Sequence, residues 1–567
     1  MRPASGLAAR LRLNRRGPWR ILALLVVVQW VAIAVFASIV RHNGWLFYQG
    51  GDELFFYTGS WVLSHGHIPE SEIGYGWSYL LTPFSLLYGA NTVAALPGIV
   101  LFQVLLLGPV ALLAVYGIVA RCAGRVLGYV AVLLWIFLPF LTVPLWDQRY
   151  HAKYVENFLP QALGLTGLGD YPSMVFLLVA AYFCVRAFDS GAWLDGALAG
   201  LAAGFAIGIK PANVLFLAGP VLAFPLARRL RPMIAFGAGI LPAALALALW
   251  KYRGLGHLPL ISPPSNKALA AGASVFLPAS PPLGALHDYL QGNWAQLQDN
   301  LANFREFFWS VRVAEWFPVA GGLAVARRSP AKAVLLGSWF LAFFVVKGMS
   351  PGASVEGGTF LRLFMPGFPP FILLTAAIPV LYPEYGPRLA ARFPVRTPRL
   401  EWRSRPVIAA AAVFAALPLL LFLVLRPFHG RTAMKYFEEN VVLPVDTDFK
   451  VSVHVGPDGQ RISWQPPPRD AARVFFHVFR VPAIAEAPDP TLPPGREGVR
   501  CLPPTGGAAD CRLEMQDLGT TRRTSWHDPD HLHGRWTYRV GMAGNWEDNP
   551  KGGDVLVLSP PATISGR

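Results

Sequence analysis

Charge is what this chain has least of. Of its 567 residues only 14% are charged while 54% are hydrophobic, and the mean hydropathy is +0.41. One soluble core cannot hide so much apolar surface, so a fold bathed in water throughout is excluded and lipid must cover much of it. Acids are scarcer than bases, 33 against 49, giving a formal net charge of +16. The surplus does not form a nucleic-acid footprint: the arginines stand in blocks beside apolar runs, as topology signals do, and no nucleic-acid partner is expected. Four cysteines are too few for a disulfide scaffold. Cys122 and Cys184 have no activating neighbour and read as packing residues, whereas Cys501 and Cys511 lie in a hydrophilic tail and are a disulfide candidate if it faces an oxidising compartment. Also missing are a phosphate-cradling Gly-x-x-x-x-Gly-Lys loop, a nucleophile elbow and a dinucleotide fingerprint, which argues against soluble nucleotide-sugar chemistry and a nucleotide cofactor.

What is present is a series of long apolar runs. Residues 1–20 form a basic tail with Arg2, Arg10, Arg12, Arg15, Arg16 and Arg20 and no acid, followed by an apolar run over 21–40 that is too long for a signal peptide. Further runs near 97–120, 126–145, 172–188, 193–209, 211–227, 232–250, 315–326, 332–347, 364–382 and 406–425 predict about eleven transmembrane helices within 21–426. With the N-terminus cytoplasmic, this count puts Arg121/Arg125, Arg228/Arg229/Arg231, Arg327/Arg328/Lys332 and the arginine-rich stretch 388–405 on the cytoplasmic side. The C-terminus then lies outside, in an integral plasma (inner) membrane protein. The segment 77–89 is too short to cross, contains Pro83, and is expected to be interfacial or re-entrant. Outer loops are predicted at 41–96, 146–171 and 251–314. A linker over 427–439 leads to a domain over 440–567, where apolar and polar residues alternate between turn signals, predicting an extracytoplasmic all-β sandwich.

Candidate chemistry gathers in the outer loops. Asp52 and Glu53 follow the first span, and the same loop holds His65, His67, Glu70 and Glu72. Two solvated carboxylates, or an N-cap for a helix from Leu54, would be the plain reading. The second loop offers Asp147, Arg149, His151 and Asp170 as weaker substrate or metal candidates. His65, Glu72, Asp147 and His151 are side chains that can hold a divalent metal ion, although no tight ligand spacing is present. His527, Asp528, Asp530, His531 and His533 cluster in TSWHDPD and after it, which reads first as a sandwich turn.

Several motifs together resemble the GT-C glycosyltransferases, the superfamily of the protein O-mannosyltransferases and aminoarabinose transferases. They are the paired acid Asp52-Glu53 at the start of the first outer loop, then IGYGWSYLLTPFSLLYG; LGDYPSMVFLLVAAYF; LAGLAAGFAIGIKPANVLFL with Lys210; and FLRLFMPGFPPFILL with Arg362. One departure stands out: the pair of prolines that usually ends the first loop is represented only by Pro83. The tail resembles a fibronectin type III module through Trp464 before Pro466 to Pro468, Phe475 and Phe476 ahead of Arg480, and Tyr538.

The first resemblance implies inverting transfer of a sugar from a polyprenyl-phosphate donor to an acceptor hydroxyl on a glycan, lipid or protein outside the cytoplasm. It implies Asp52 as general base, with Glu53 as alternate or orienting partner, and Lys210 and Arg362 as cations for the donor phosphate. Two rivals remain: a transporter or flippase of lipid-linked glycans, which would call for charges within spans or an internal repeat, and an inactive anchor displaying the sandwich. Heavy use of Gly, Pro, Ala and Arg suggests a GC-rich bacterial genome.

Overall fold

The structure, a computed structural model, describes residues 18–40, 47, 52–69, 71, 73–89, 92–255, 258–261, 282–284, 293–350, 352–383, 405–427, 433–436, 441–444, 448–466, 475–482, 499–502, 510–513, 516–543 and 555–566. Among the described residues helices predominate up to Val424, and strands after it.

All eleven apolar runs are helical over most of their length. Among the described residues five helices are long and apolar enough to cross a bilayer unaided: Trp19–Ile39, Ala94–Cys122, Asp170–Ser190, Leu230–Leu255 and Pro330–Gly348. Thr359–Gly367 and Pro369–Leu381 form an apolar helix pair bent by 61°, the shape of a broken span or a re-entrant loop, where Pro366 and Pro369 interrupt the hydrogen-bond ladder. The shorter apolar helices include Phe317–Ala326, over the shortest of the predicted runs. The chain is an integral membrane protein on this composition and length.

Seven helices frame the site: α1 (Asp52–Ser64), α2 (Tyr75–Tyr88), α3 (Asp170–Ser190), α4 (Trp193–Ile209), α5 (Leu230–Leu255), α6 (Pro330–Gly348) and α7 (Thr359–Phe364). Helix α1 starts at Asp52, two residues before the Leu54 start named above, so both acids stand in its first turn, where the helix dipole favours negative charge. Helix α2 accounts for the short segment 77–89; its 14 residues reach about 21 Å, short of the hydrocarbon core. Against α4 the packing is dictated by glycine. Gly196, Gly200, Gly204 and Gly208 recur every fourth residue, and a Cβ on Gly204 would stand 3.1 Å from the Ile240 backbone of α5. Such a small-residue face lets two helices close to backbone contact where lipid offers no hydrophobic drive.

The predicted outer loop 251–314 is not all loop: Trp294–Phe307 is a helix capped by Asn293, whose side chain accepts from the Gln296 N–H at 3.1 Å. Its Asn300 amide donates to the carbonyls of Gly348 and Ala353 at 2.9 and 2.8 Å and accepts from the Val355 N–H. With Gln296, whose amide donates to the same Ala353 carbonyl at 3.0 Å, it holds the connection between α6 and α7.

Beyond the helices, β1 (His67–Ile68) pairs in parallel with β2 (Arg426–Pro427), tying the first loop to the exit of the last span. The predicted linker is partly strand, since Ala433–Tyr436 pairs with Val441–Pro444. The C-terminal region forms antiparallel sheets. Strands β3 (Lys450–Gly456) and β4 (Gly459–Gln465) join β7 (Ser525–Asp528). Strands β5 (Phe475–Pro482) and β6 (Gln516–Thr521) join β8 (Gly534–Ala543), which also pairs with β9 (Val555–Leu558) and β10 (Ala562–Gly566). Phe449, Ile462, Trp464, Phe476, Val478, Tyr538 and Val540 are buried in this core.

Candidate active site

The local sequence delivers four charged side chains to one place. Asp52 comes from the first turn of α1 and Asp170 opens α3. Lys210 caps α4, where Pro211 stops the helix and starts a 3₁₀ turn, and Arg362 lies in α7. Asp170 is 1% exposed, and its carboxylate meets Lys210 Nζ at 2.5 Å and Arg362 Nε at 3.5 Å. The other arm of the Arg362 guanidinium pairs with Asp52. The result is a continuous chain, Asp52–Arg362–Asp170–Lys210, spanning four helical elements. Lys347, near the end of α6, is close enough to interact electrostatically with both Lys210 and Asp170.

Two cations thus face two carboxylates, with Lys347 as a further positive charge in the neighbourhood. The buried acid lies beneath, while the Arg362, Lys210 and Asp52 side chains keep 28%, 20% and 35% of their surface. An arrangement with cations in excess and partly open suits an anion with several oxygens, such as a phosphate, and the contacts to Asp52 and Asp170 use only part of the five-donor fork of Arg362.

Glu53 goes elsewhere. It is buried, and its Oε1 accepts the Gly167 N–H at 2.7 Å, three residues ahead of Asp170. His65 lies just past the far end of α1, about 20 Å along the helix axis from Asp52, with its ring against Trp61 and Nδ1 at 2.8 Å from the Trp61 carbonyl. Asp147 caps a short helix: the backbone N–H of Arg149, then its guanidinium, hold the Asp147 carboxyl below the usual carboxylate range. Arg149 continues to Glu306 at 2.8 Å, so this pair belongs to the helix Trp294–Phe307. His151 is exposed beside them. Glu70 and Glu72 lie outside the described residues. Among the described residues no three His, Cys, Asp or Glu side chains gather as a metal set.

In the tail, Asp528 belongs to strand β7 rather than to a turn, and is engaged by Arg480 at 2.8 Å and by the Tyr538 hydroxyl; Asp530 also pairs with Arg480, at 2.7 Å. Two members of the His/Asp cluster are thereby tied to Arg480 of the sandwich, Asp528 in its core and Asp530 at its surface.

Sequence reading underrated Asp170, the pivot of the cluster, because a lone acid before an apolar run is also an ordinary helix start. Lys347 was missed, although a signal existed: a lysine ending an apolar span on the predicted outer side goes against the usual charge bias, as Arg362 does.

No family model matches this chain, and no curated protein does. Among solved structures it is similar to ArnT from Cupriavidus metallidurans bound to undecaprenyl phosphate, at 13% identity and a TM-score of 0.41, covering 72% of this chain and 70% of that one. The same ArnT in the apo state aligns at 14% identity and a TM-score of 0.38, covering 72% and 76%. The archaeal oligosaccharyltransferase AglB from Archaeoglobus fulgidus, in complex with an inhibitory peptide and a dolichol-phosphate, aligns at 12% identity and 0.37, covering 72% of this chain and 57% of that one.

Proposed function

We propose that the chain is a membrane glycosyltransferase that moves a sugar from a polyprenyl-phosphate donor to an acceptor hydroxyl on the outer face of the membrane. The observation that carries this reading is the cluster itself: a carboxylate and a cation-rich anion platform, brought to one partly open rim from four separate elements. The GT-C-like order of the motifs in the sequence fits the same chemistry.

In this mechanism the acceptor oxygen forms a bond to the anomeric carbon as the bond from that carbon to the phosphate oxygen breaks. The acceptor proton passes to Asp52, whose task is to sharpen a poor nucleophile. The departing polyprenyl phosphate keeps the electron pair, and Lys210, Arg362 and Lys347 stabilise its growing charge. Asp170 holds two of those cations from below, so they are in place before the charge develops. Attack opposite the leaving phosphate inverts the anomeric centre.

The two ends of α3 support a sidedness for this reading. Arg229 donates to the Phe188 carbonyl, Arg328 to that of Cys122 and Lys332 to that of Arg121, so three arginine-rich blocks meet at the end of α3 opposite Asp170. The 21 residues of α3 span about 31 Å, one hydrocarbon thickness. With the blocks cytoplasmic, the Asp52–Lys210 rim and the sandwich lie outside.

The test is Asp52→Asn in purified protein, assayed for transfer from polyprenyl-phosphate sugars to envelope acceptors. Turnover is expected to fall about 10²- to 10⁴-fold, the usual weight of a general base. Undiminished turnover removes Asp52 from that role.

A further inference from the structure

The motif Gly74-Tyr75-Gly76-Trp77 at the start of α2 has no part in the chemistry above, yet it touches the backbone on both sides of the Asp170–Lys210 pair. On one side it is keyed into the end of α4. A Cβ on Gly76 would stand 2.8 Å from the Ile209 nitrogen, and a Cβ on Gly208 would stand 2.8 Å from the Tyr75 ring, so each partner is hollowed to admit the other. The residue after Ile209 is Lys210. On the other side the Trp77 indole N–H donates to the Gly167 carbonyl at 2.6 Å, and Trp77 is fully buried. The N–H of the same Gly167 is held by Glu53 at 2.7 Å. One residue is therefore gripped at both its donor and its acceptor, by side chains from α1 and α2, three positions before Asp170.

We propose that Glu53 and Trp77 are positioning residues: by clamping Gly167 against the face of α2 that also seats Ile209, they set how Asp170 presents Lys210 and Arg362 to a phosphate. Glu53 adjoins Asp52, so the same clamp fixes the start of the helix that carries the base. The inference rests on the phosphate-platform reading of Lys210. Buried hydrogen bonds suit this task, because in a low-dielectric setting they hold geometry tightly and losing one partner leaves the other stranded. A displacement of about 1 Å at a reacting centre can cost about 10²-fold, so a modest slip of this loop has a measurable effect.

The experiment is equilibrium binding of undecaprenyl phosphate, a polyprenyl monophosphate without a sugar, to the full chain in nanodiscs. Lys210→Ala is expected to weaken binding about tenfold or more, and unchanged binding would overturn the platform reading and this inference with it. Trp77→Phe, which keeps the ring and removes the donor, and Glu53→Ala are each expected to weaken binding about fivefold or more. Glu53→Gln, which keeps an oxygen to accept from Gly167, should bind close to wild type. In the Lys210→Ala background Trp77→Phe should weaken binding less than it does alone, because part of its effect passes through that pair. Ser190→Ala, at the other end of α3, reports what destabilisation alone does and should leave binding unchanged. If Lys210→Ala weakens binding while Trp77→Phe and Glu53→Ala do not, or if Trp77→Phe is fully additive with Lys210→Ala, the positioning role fails and the platform stands. Should Trp77→Phe not fold, the contrast between Glu53→Gln and Glu53→Ala decides.

Discussion

Helix α3 carries an ionic cluster at each end, built from the same residue types and solved in opposite ways. At the Asp170 end the acid is buried and the cations are partly open, with Lys210 at 20% and Arg362 at 28% exposure. At the Ser190 end the cations are buried. Asp189 pairs with Lys332 at 2.6 Å and Arg121 at 3.6 Å, whose side chains are 8% and 6% exposed, and Arg186 pairs with Asp195 at 3.0 Å, the acid wholly enclosed. The Ser190 hydroxyl donates to the second oxygen of Asp195. Buried cations closed off by acids and carbonyls hold helices together and offer a ligand little. Cations raised on a buried acid offer an arriving anion their outer donors at little further desolvation cost.

The sharpest way to break this contrast is to remove one cation from each end. Arg362→Ala is expected to lower sugar transfer about 10²- to 10³-fold, in the range found when a donor to developing charge is lost, with the thermal midpoint in detergent little changed. Lys332→Met should do the reverse: removing one partner of a buried pair costs about 3 kcal/mol, which lowers the midpoint, while the folded fraction keeps its specific activity. If both variants lose activity and stability in the same proportion, the two clusters do the same job and the distinction is wrong.

The cysteines sharpen the sidedness behind that contrast. Cys122 and Cys184 are buried free thiols, and Cys122 lies in the sealed half, where its carbonyl receives Arg328. In the tail, Val499–Leu502 and Asp510–Leu513 are antiparallel with Cys501 directly opposite Cys511. Cα atoms facing each other across such a pair are about 4.5–5.5 Å apart, within the reach of a disulfide. Thiol labelling of denatured, unreduced protein from intact cells should modify Cys122 and Cys184 and spare Cys501 and Cys511. Serine at both tail positions should cost the tail roughly 2 kcal/mol. Four reactive thiols would place the tail in a reducing compartment and turn the proposed topology over.

Much of the fold was legible because the bilayer imposes a coarse rule. Every apolar run named from hydropathy is helical over most of its length, whereas the close approach made at Gly196, Gly200 and Gly204 came from the structure. Asp52, Lys210 and Arg362 could be nominated because each is a charge beside a span, where charge needs a reason, and the structure brings them together. The resemblance ranked Asp52 above Glu53, but the residues themselves gave no ground for it, since their difference is one of direction: 100° of helix rotation sends one to Arg362 and the other to a backbone amide. For the same reason the Asp147–Arg149 pair looked like part of the site, when its next contact is Glu306 on the neighbouring helix. Gly167 could not have been found at all, because what matters there is a peptide group, which every residue has.

The smallest effect is expected where the sealed pattern recurs outside the membrane. In the sandwich, His477 is nearly enclosed and donates or accepts through Nδ1 at 3.0 Å from Asp517, whose Oδ1 also accepts the Gly519 N–H at 2.9 Å beside a bulge. Burial pushes the Asp517 carboxyl up, but the His477 hydrogen bond and the Gly519 N–H outweigh it and hold the group below the usual carboxylate range. A carboxyl whose folded-state pKa is depressed adds stability that is fully present above its unfolded value, about 3.9, and is lost as pH falls through the lower folded value. Asp517→Asn should therefore flatten the acid side of the stability profile below about pH 4, with a loss at neutral pH of about 1 kcal/mol at most, since the group is partly solvated. Thermal unfolding of the full chain in detergent between pH 6 and 2.5 measures both, and transfer activity should not move. If activity falls with Asp517→Asn while stability holds, this pair faces a ligand after all, and burial of the base no longer separates structural clusters from working ones.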